Sequence, residues 1–387
     1  MRYAFLLLFL SSLSAGAQAV RDINYGFLYE PSESFVLDIN PVRSGNGWTV
    51  VYKFTVSDTA RNVDEFLIKW DLRTSLSEKE GVNIDAGEIE VTRTRTGLEG
   101  IISLPVSPSP QLLVAKVLNN MVKRAWVAYK VLDPNYPVNA YLTTSEGVVG
   151  RPFLKSGTPL SIKGLDGQVT VSYYPDEFPA AVPPFAEEMG RVSRGMRVDT
   201  TYTVSTNQEV TFSETGLYLI QQDTSDTSGI AFRIEDDYPR FSRLESLADP
   251  LIYVCTKQEF DRVRAATGEK KAFDRMILNI TGNAERARSF MRNYFKRVEW
   301  ANYYFTSYKE GWKTDRGMIY ILFGLPDQLF KFSDREVWKY DNASVKATFD
   351  FVKSSTVFDP ENYVLVRDKK FREIWYEKID LWRNARF

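Results

Sequence analysis

The chain has 387 residues, 44% hydrophobic, 26% charged and 14% aromatic, the profile of folded protein with room for two or three cores. With 49 basic against 50 acidic side chains it has no positive surplus, so nucleic acid is not an expected partner. Histidine is absent and cysteine occurs once, which excludes histidine-based triads and general bases, His-bearing zinc sites, an internal disulfide and polycysteine metal centres; no cofactor and no metal are expected.

Residues 1–19 read as an export signal, with Arg2 as the basic start, Ala4 to Leu13 as the apolar stretch and Ala17-Gln18-Ala19 as the cleavage site. The stretch is shorter than the roughly 20 apolar residues that cross a bilayer, and no later segment replaces it. No cysteine follows the cleavage site, so neither a transmembrane segment nor a lipid anchor is expected in the mature chain. The expected location is the periplasm, with or without outer-membrane association, or the exterior.

The expected fold class is multidomain: two tandem all-β sandwich-like modules followed by a C-terminal α+β domain with helices packed on a small antiparallel sheet. Residues 20–136 alternate with a period of two, most clearly from Trp48 to Val56, where every second position is apolar or aromatic. Phe66 to Leu72, Glu88 to Thr94, Gln111 to Val117 and Ala125 to Leu132 are further strands, and Ala86 to Leu104 reads as solvent-facing strands joined at Thr96-Gly97. Two prolines in Asp133-Pro134-Asn135-Tyr136-Pro137 break the run. A second sandwich is expected over 137–240, with strands from Leu160 to Lys163 onward to Ile230 to Ile234. Its Pro-rich loop 175–184 reads as a rigid connection packed on its own sandwich or as a polyproline-like face for a partner.

The α+β domain is expected over 241–387, because from about Phe241 the period shifts to 3.6. Thr256-Lys257-Gln258-Glu259 is a capping box opening a helix to Thr267, with Gly268 as its left-handed stop. Phe273, Met276, Ile277 and Ile280 mark a second helix ended by Gly282, and the longest helix follows Asn283 with an apolar face reaching Tyr308. Met318 to Phe323, Glu336 to Tyr340 and Val345 to Val352 are expected to form the covering sheet, and a last helix starts at Phe371.

Between the long helix and this sheet stands Gly311-Trp312-Lys313-Thr314-Asp315-Arg316-Gly317, followed by Gly324-Leu325-Pro326-Asp327 and by Trp338-Lys339-Tyr340. This resembles the GWxTD domain, found at the C-terminal end of exported proteins in Gram-negative envelopes, over roughly residues 241–387. The resemblance implies an envelope protein and brings no established reaction, substrate or cofactor. Turn chemistry accounts for the motif: Gly311 ends the helix, Trp312 fills a pocket, Thr314 and Asp315 accept from free N–H groups, and Arg316 pairs with Asp315, Glu310 or Asp327. A binding reading instead makes Trp312, Thr314, Asp315 and Arg316 the floor of a pocket for a polar ligand or a partner's carboxylate.

No catalytic set is legible. Asp223 with Asp226, Glu187-Glu188 and Asp236-Asp237 are carboxylates without a second half of a dyad, and Cys255 sits in an apolar run as a small buried side chain. The expected function is a non-catalytic periplasmic scaffold or interaction protein that docks with outer-membrane or periplasmic partners, other envelope proteins. The alternative is a carbohydrate-binding or glycan-processing envelope protein, motivated by 21 Tyr and 8 Trp. Burial of Trp312, Trp338, Trp375 and Trp382 would count against it.

Overall fold

The computed structural model describes residues 18–45, 47–175, 178–187, 196–342 and 345–386. Most of the expected export signal, Asp176 and Glu177 of the Pro-rich loop, and Glu188 lie outside the described residues.

The first module is built from β1 (Phe35–Ser44), β2 (Gly47–Val56), β3 (Phe66–Arg73), β4 (Val82–Asn83), β5 (Ile89–Arg93), β6 (Gly97–Pro105), β7 (Gln111–Asn119) and β8 (Arg124–Leu132). They form two antiparallel sheets ordered β1-β2-β6-β5 and β4-β3-β7-β8. Trp48, Val50 and Tyr52 of one sheet meet Trp70, Leu113 and Ala115 of the other, as the period-two reading requires. The sequence pattern gave no warning of β1. It contains Pro41, which a central strand would reject, but β1 is an edge strand, where the missing N–H breaks no interior ladder.

The second module comprises β9 (Tyr141–Thr144), β10 (Gly147–Val148), β11 (Phe153–Lys155), β12 (Pro159–Lys163), β13 (Gln168–Tyr174), β14 (Thr200–Ser205), β15 (Val210–Thr211), β16 (Gly216–Gln221) and β17 (Ile230–Glu235). Its sheets are ordered β10-β9-β12-β15 and β11-β17-β16-β13-β14, around a core that includes Leu160, Val171, Tyr218 and Phe232.

The C-terminal domain packs α1 (Leu244–Ala248), α2 (Lys257–Ala265), α3 (Lys270–Thr281), α4 (Ala284–Phe305), α5 (Asp315–Phe323) and α6 (Arg372–Arg383) against the sheet β18-β19-β20-β21, whose strands are Gln328–Lys331, Arg335–Asn342, Val345–Lys353 and Tyr363–Leu365. The Thr256/Glu259 capping box is formed, and Gly282 closes α3 at φ +84°. Gly268 is not left-handed; α2 has already ended at Ala265. Met318 to Phe323 is helix, not strand. All six residues are buried, so the helix is apolar on every side and periodicity could not reveal it.

Two segments reach beyond their expected places. Residues 20–29, expected in the first module, pack on it through Phe27 and Leu28 and also form an arm into the C-terminal core: Val20 is 0% exposed, and Tyr25 N–H donates to Leu329 O at 2.7 Å. Leu329 N–H in turn donates to Asn24 Oδ1 at 2.9 Å, and Tyr320 OH donates to Tyr29 O at 2.9 Å. The Pro-rich loop packs on its own sandwich through Phe178, which lies against Tyr174, Leu217 and Leu219, and then runs on to the C-terminal domain. Ala181 N–H donates to Lys313 O at 3.0 Å, Asp368 N–H donates to Pro184 O at 2.9 Å, and Phe185 lies against Trp375 and Tyr376. It is a strap across the C-terminal domain.

Candidate functional site

The motif sits where α4 turns back into α5. The helix α4 opens on Asn283, whose side chain accepts Arg286 N–H, and it ends at Phe305, six residues before Gly311. Gly311 therefore does not stop the helix; it starts a short 3-10 turn over Gly311–Lys313 that lies directly on α4. A Cβ at Gly311 would fall 2.1 Å from Ala301 O and 2.7 Å from Asn302 Cα. One at Gly317 would fall 1.9 Å from Gly311 O, so both positions demand glycine through close backbone approach.

The remaining motif residues are tied in sequence order to different parts of the molecule. Trp312 is buried; its N–H donates to Asn302 Oδ1 at 3.0 Å and its carbonyl accepts from Tyr253 OH at 2.8 Å. Lys313 reaches Glu310 at 2.8 Å and, through its carbonyl, holds the strap. Thr314 is the N-cap of α5, accepting Gly317 N–H at 3.0 Å and donating to Gly311 O at 2.7 Å.

Arg316 bonds to Glu336 rather than to the expected Asp315, Glu310 or Asp327, and Asp315 pairs with Arg367 instead. Asp315 accepts Leu365 N–H at 2.8 Å and Arg367 at 2.6 Å, and Arg367 also donates to Val182 O of the strap at 3.1 Å. Arg316 donates to Tyr29 OH at 3.2 Å, to Glu336 at 3.4 Å and to Glu361 O at 3.2 Å, with its guanidinium 4.4 Å from the Tyr363 ring centroid. Glu336 is 0% exposed and also accepts from Tyr29 OH at 2.9 Å and Trp338 Nε1 at 3.1 Å. Burial alone would raise its pKa, but Arg316 and Lys331 beside it hold it below the ordinary carboxylate value.

The structure thus brings Thr314, Asp315 and Arg316 into internal contacts and separates them by direction: Asp315 faces β21 and the strap, while Arg316 faces the arm and borders a cavity. Trp312 does not line that cavity. Sequence reasoning missed Glu336, Arg367, Asn302 and Tyr29. Glu336 left a signal: it shares a strand face with Trp338 and Tyr340, where a lone carboxylate among apolar residues needs a cation.

Other candidate groups are locally satisfied. Asp223 accepts Ser225 N–H at 2.8 Å, Asp226 accepts Ser228 OH at 2.6 Å, and Asp237 receives the backbone N–H groups of Ser242 and Arg243. Cys255 is half-buried, and burial pushes its thiol up to about 12, which leaves almost no thiolate at neutral pH. Among the described residues, no group of three or more His, Cys, Asp or Glu side chains is placed to hold a metal ion. No described helix is long and apolar enough to cross a membrane.

The family model of the GWxTD domain matches residues 216–384. The chain carries a GWxTD domain. The matched span begins at β16, earlier than the helical period does, and β17 supplies a reason: its Arg233 donates to Tyr308 O at 2.9 Å, just before the motif. No curated protein matches the chain. Among solved structures, a chimeric titin Z1Z2-Z1Z2 tandem functionalized with a GRGDS exogenous peptide from fibronectin aligns at 11% identity over 52% of this chain and 96% of that one. Its TM-score of 0.18 carries no argument.

Proposed function

We propose that this GWxTD protein is a non-catalytic exported scaffold of the periplasm, which docks with outer-membrane or periplasmic partner proteins. The observation that carries this reading is the engagement of the motif. Thr314, Asp315 and Arg316 are each held by two or three internal partners, and together they fasten the arm, the strap and β21 around α4 and α5. Three modules held in one arrangement give a rigid surface to partners, which limits the ordering cost of association.

The burial of the tryptophans counts against the glycan alternative, although Tyr202 and Tyr376 are exposed. Trp312, Trp338, Trp375 and Trp382 are buried, as are Trp48, Trp70 and Trp126, and Trp300 is half-buried.

Crosslinking of the tagged chain in intact native cells, followed by fractionation, tests the proposal. The chain is expected in the periplasmic fraction with an N-terminus at Val20, crosslinked to a reproducible envelope protein; a cytoplasmic chain, or an uncrosslinked monomer, would overturn it. Asp315→Asn and Arg316→Ala are expected to lose partner capture only in step with thermal stability. Lost capture at unchanged stability would make the motif itself the contact or reaction site.

A further inference from the structure

The cavity that Arg316 borders lies where all three modules meet, a common position for small-molecule sites. Its volume is about 290 Å³. The first module contributes Asp38 of β1 and Tyr129 and Lys130 of β8; the second contributes Arg151 and Phe232; the C-terminal domain contributes Lys331 and the loop from Phe358 to Glu361.

Unlike the motif, these walls hold polar groups whose hydrogen-bonding capacity is unmet. Tyr129 is 6% exposed, and its buried hydroxyl has no partner among the described residues. Arg151 pairs with Asp38 at 2.8 Å and lies over the Tyr303 ring at 4.6 Å, yet its buried Nε has no acceptor among the described residues. Lys130 stands 3.8 Å from one oxygen of Glu361, beyond hydrogen-bond distance, while Lys353 holds the other oxygen at 2.9 Å. The walls thus carry an ammonium, a guanidinium N–H and a phenol, each of which an anionic acceptor would satisfy.

Two of the wall carboxylates are paired with cations, Asp38 with Arg151 and Glu361 with Lys353. Burial pushes Asp359 up to about 7, so near neutrality about half of it is protonated. Ile230 and Phe358 supply apolar wall between the charges.

We propose that this cavity binds a small monocarboxylate with an apolar tail, the carboxylate received by Lys130, Arg151 and Tyr129 and the tail lying against Ile230 and Phe358. The proposal is independent of whether the chain docks with envelope proteins.

Octanoate is the probe, titrated calorimetrically into the full mature chain near neutral pH. Octylammonium keeps the tail and reverses the head group; acetate keeps the head group and drops the tail. Octanoate is expected to bind saturably, and both controls at least about tenfold more weakly. Lys130→Met keeps the stem and leaves Glu361 paired with Lys353, and should lower octanoate affinity at least about tenfold. Tyr129→Phe removes only a hydroxyl without a partner, so it should fold as the parent does and lower affinity severalfold; it decides the matter alone should Lys130→Met fail to fold. Absence of saturable octanoate binding, equal binding of octylammonium, or unchanged affinity in the folded variants would overturn the proposal.

Discussion

Arg316 stands at the border of two regions that differ in one respect. On its motif side the motif's own side chains are engaged, Thr314 by Gly311 and Gly317 and Asp315 by Leu365 and Arg367, and the atoms left without a hydrogen-bond partner belong to the flanking Glu310 and Arg367. On its cavity side Tyr129 and Arg151 retain unmet groups and Lys130 is loosely paired. The difference teaches that a conspicuous sequence motif can record backbone constraint, whereas readiness for a ligand is recorded in groups drawn from distant segments and left incompletely paired.

Substitutions can break or sharpen this contrast. The largest effect is expected from Glu336→Ala, which leaves Arg316 and Lys331 without their buried carboxylate. Loss of about 3–5 kcal/mol should be read from urea midpoints, and a cost under about 1 kcal/mol would deny that this side is a lock. Gly311→Ala should follow at about 3 kcal/mol, the upper end for overpacking, because a methyl group must displace the α4 backbone. Thr314→Ala should cost about 1 kcal/mol through loss of the α5 cap, with Thr314→Ser restoring most of it.

On the cavity side the expected effects are smaller and depend on pH. Asp359 has its folded pKa raised from 3.8 to about 7, so ionising it in the fold opposes stability progressively as pH rises through that window. Asp359→Asn can still accept the Glu361 N–H; its thermal midpoint should match the parent near about pH 4 and exceed it by a few degrees near about pH 8. Glu361 works in the opposite sense. Burial would raise its pKa, but Lys130 and Lys353 hold it at about 2, so its contribution is present above the ordinary value of 4.5 and fades as pH falls toward 2. A midpoint difference between parent and Asp359→Asn that does not change with pH would show that Asp359 does not titrate in this window. The smallest effect belongs to Tyr129→Phe, within about 0.5 kcal/mol of the parent.

Much of the fold was legible because local rules governed it. Period-two alternation located β2, β7 and β8, and a capping box located α2. The apolar run after the motif defeated periodicity, although Thr314 with Gly317 three residues on carried the cap of a helix. The strap and the arm were illegible because what fixes them is far off in the chain: Ala181 bonds to Lys313, and Tyr29 to Glu336. The candidate residues of the motif were found by sequence, but their partners were not, and neither was the cavity. Asp38, Lys130 and Arg151 come from three separate segments that no spacing rule connects.

The arm sets a timetable for the molecule. Asn24 and Tyr29 are separated by about three hundred residues from Asp327 and Glu336, to which they bond. At a synthesis rate of about 5–20 residues per second, the arm waits roughly 15–60 s for its berth to exist. For that interval Tyr25 and Tyr29, core residues of the finished domain, have no partner surface to bury against, and a holding chaperone could cover them.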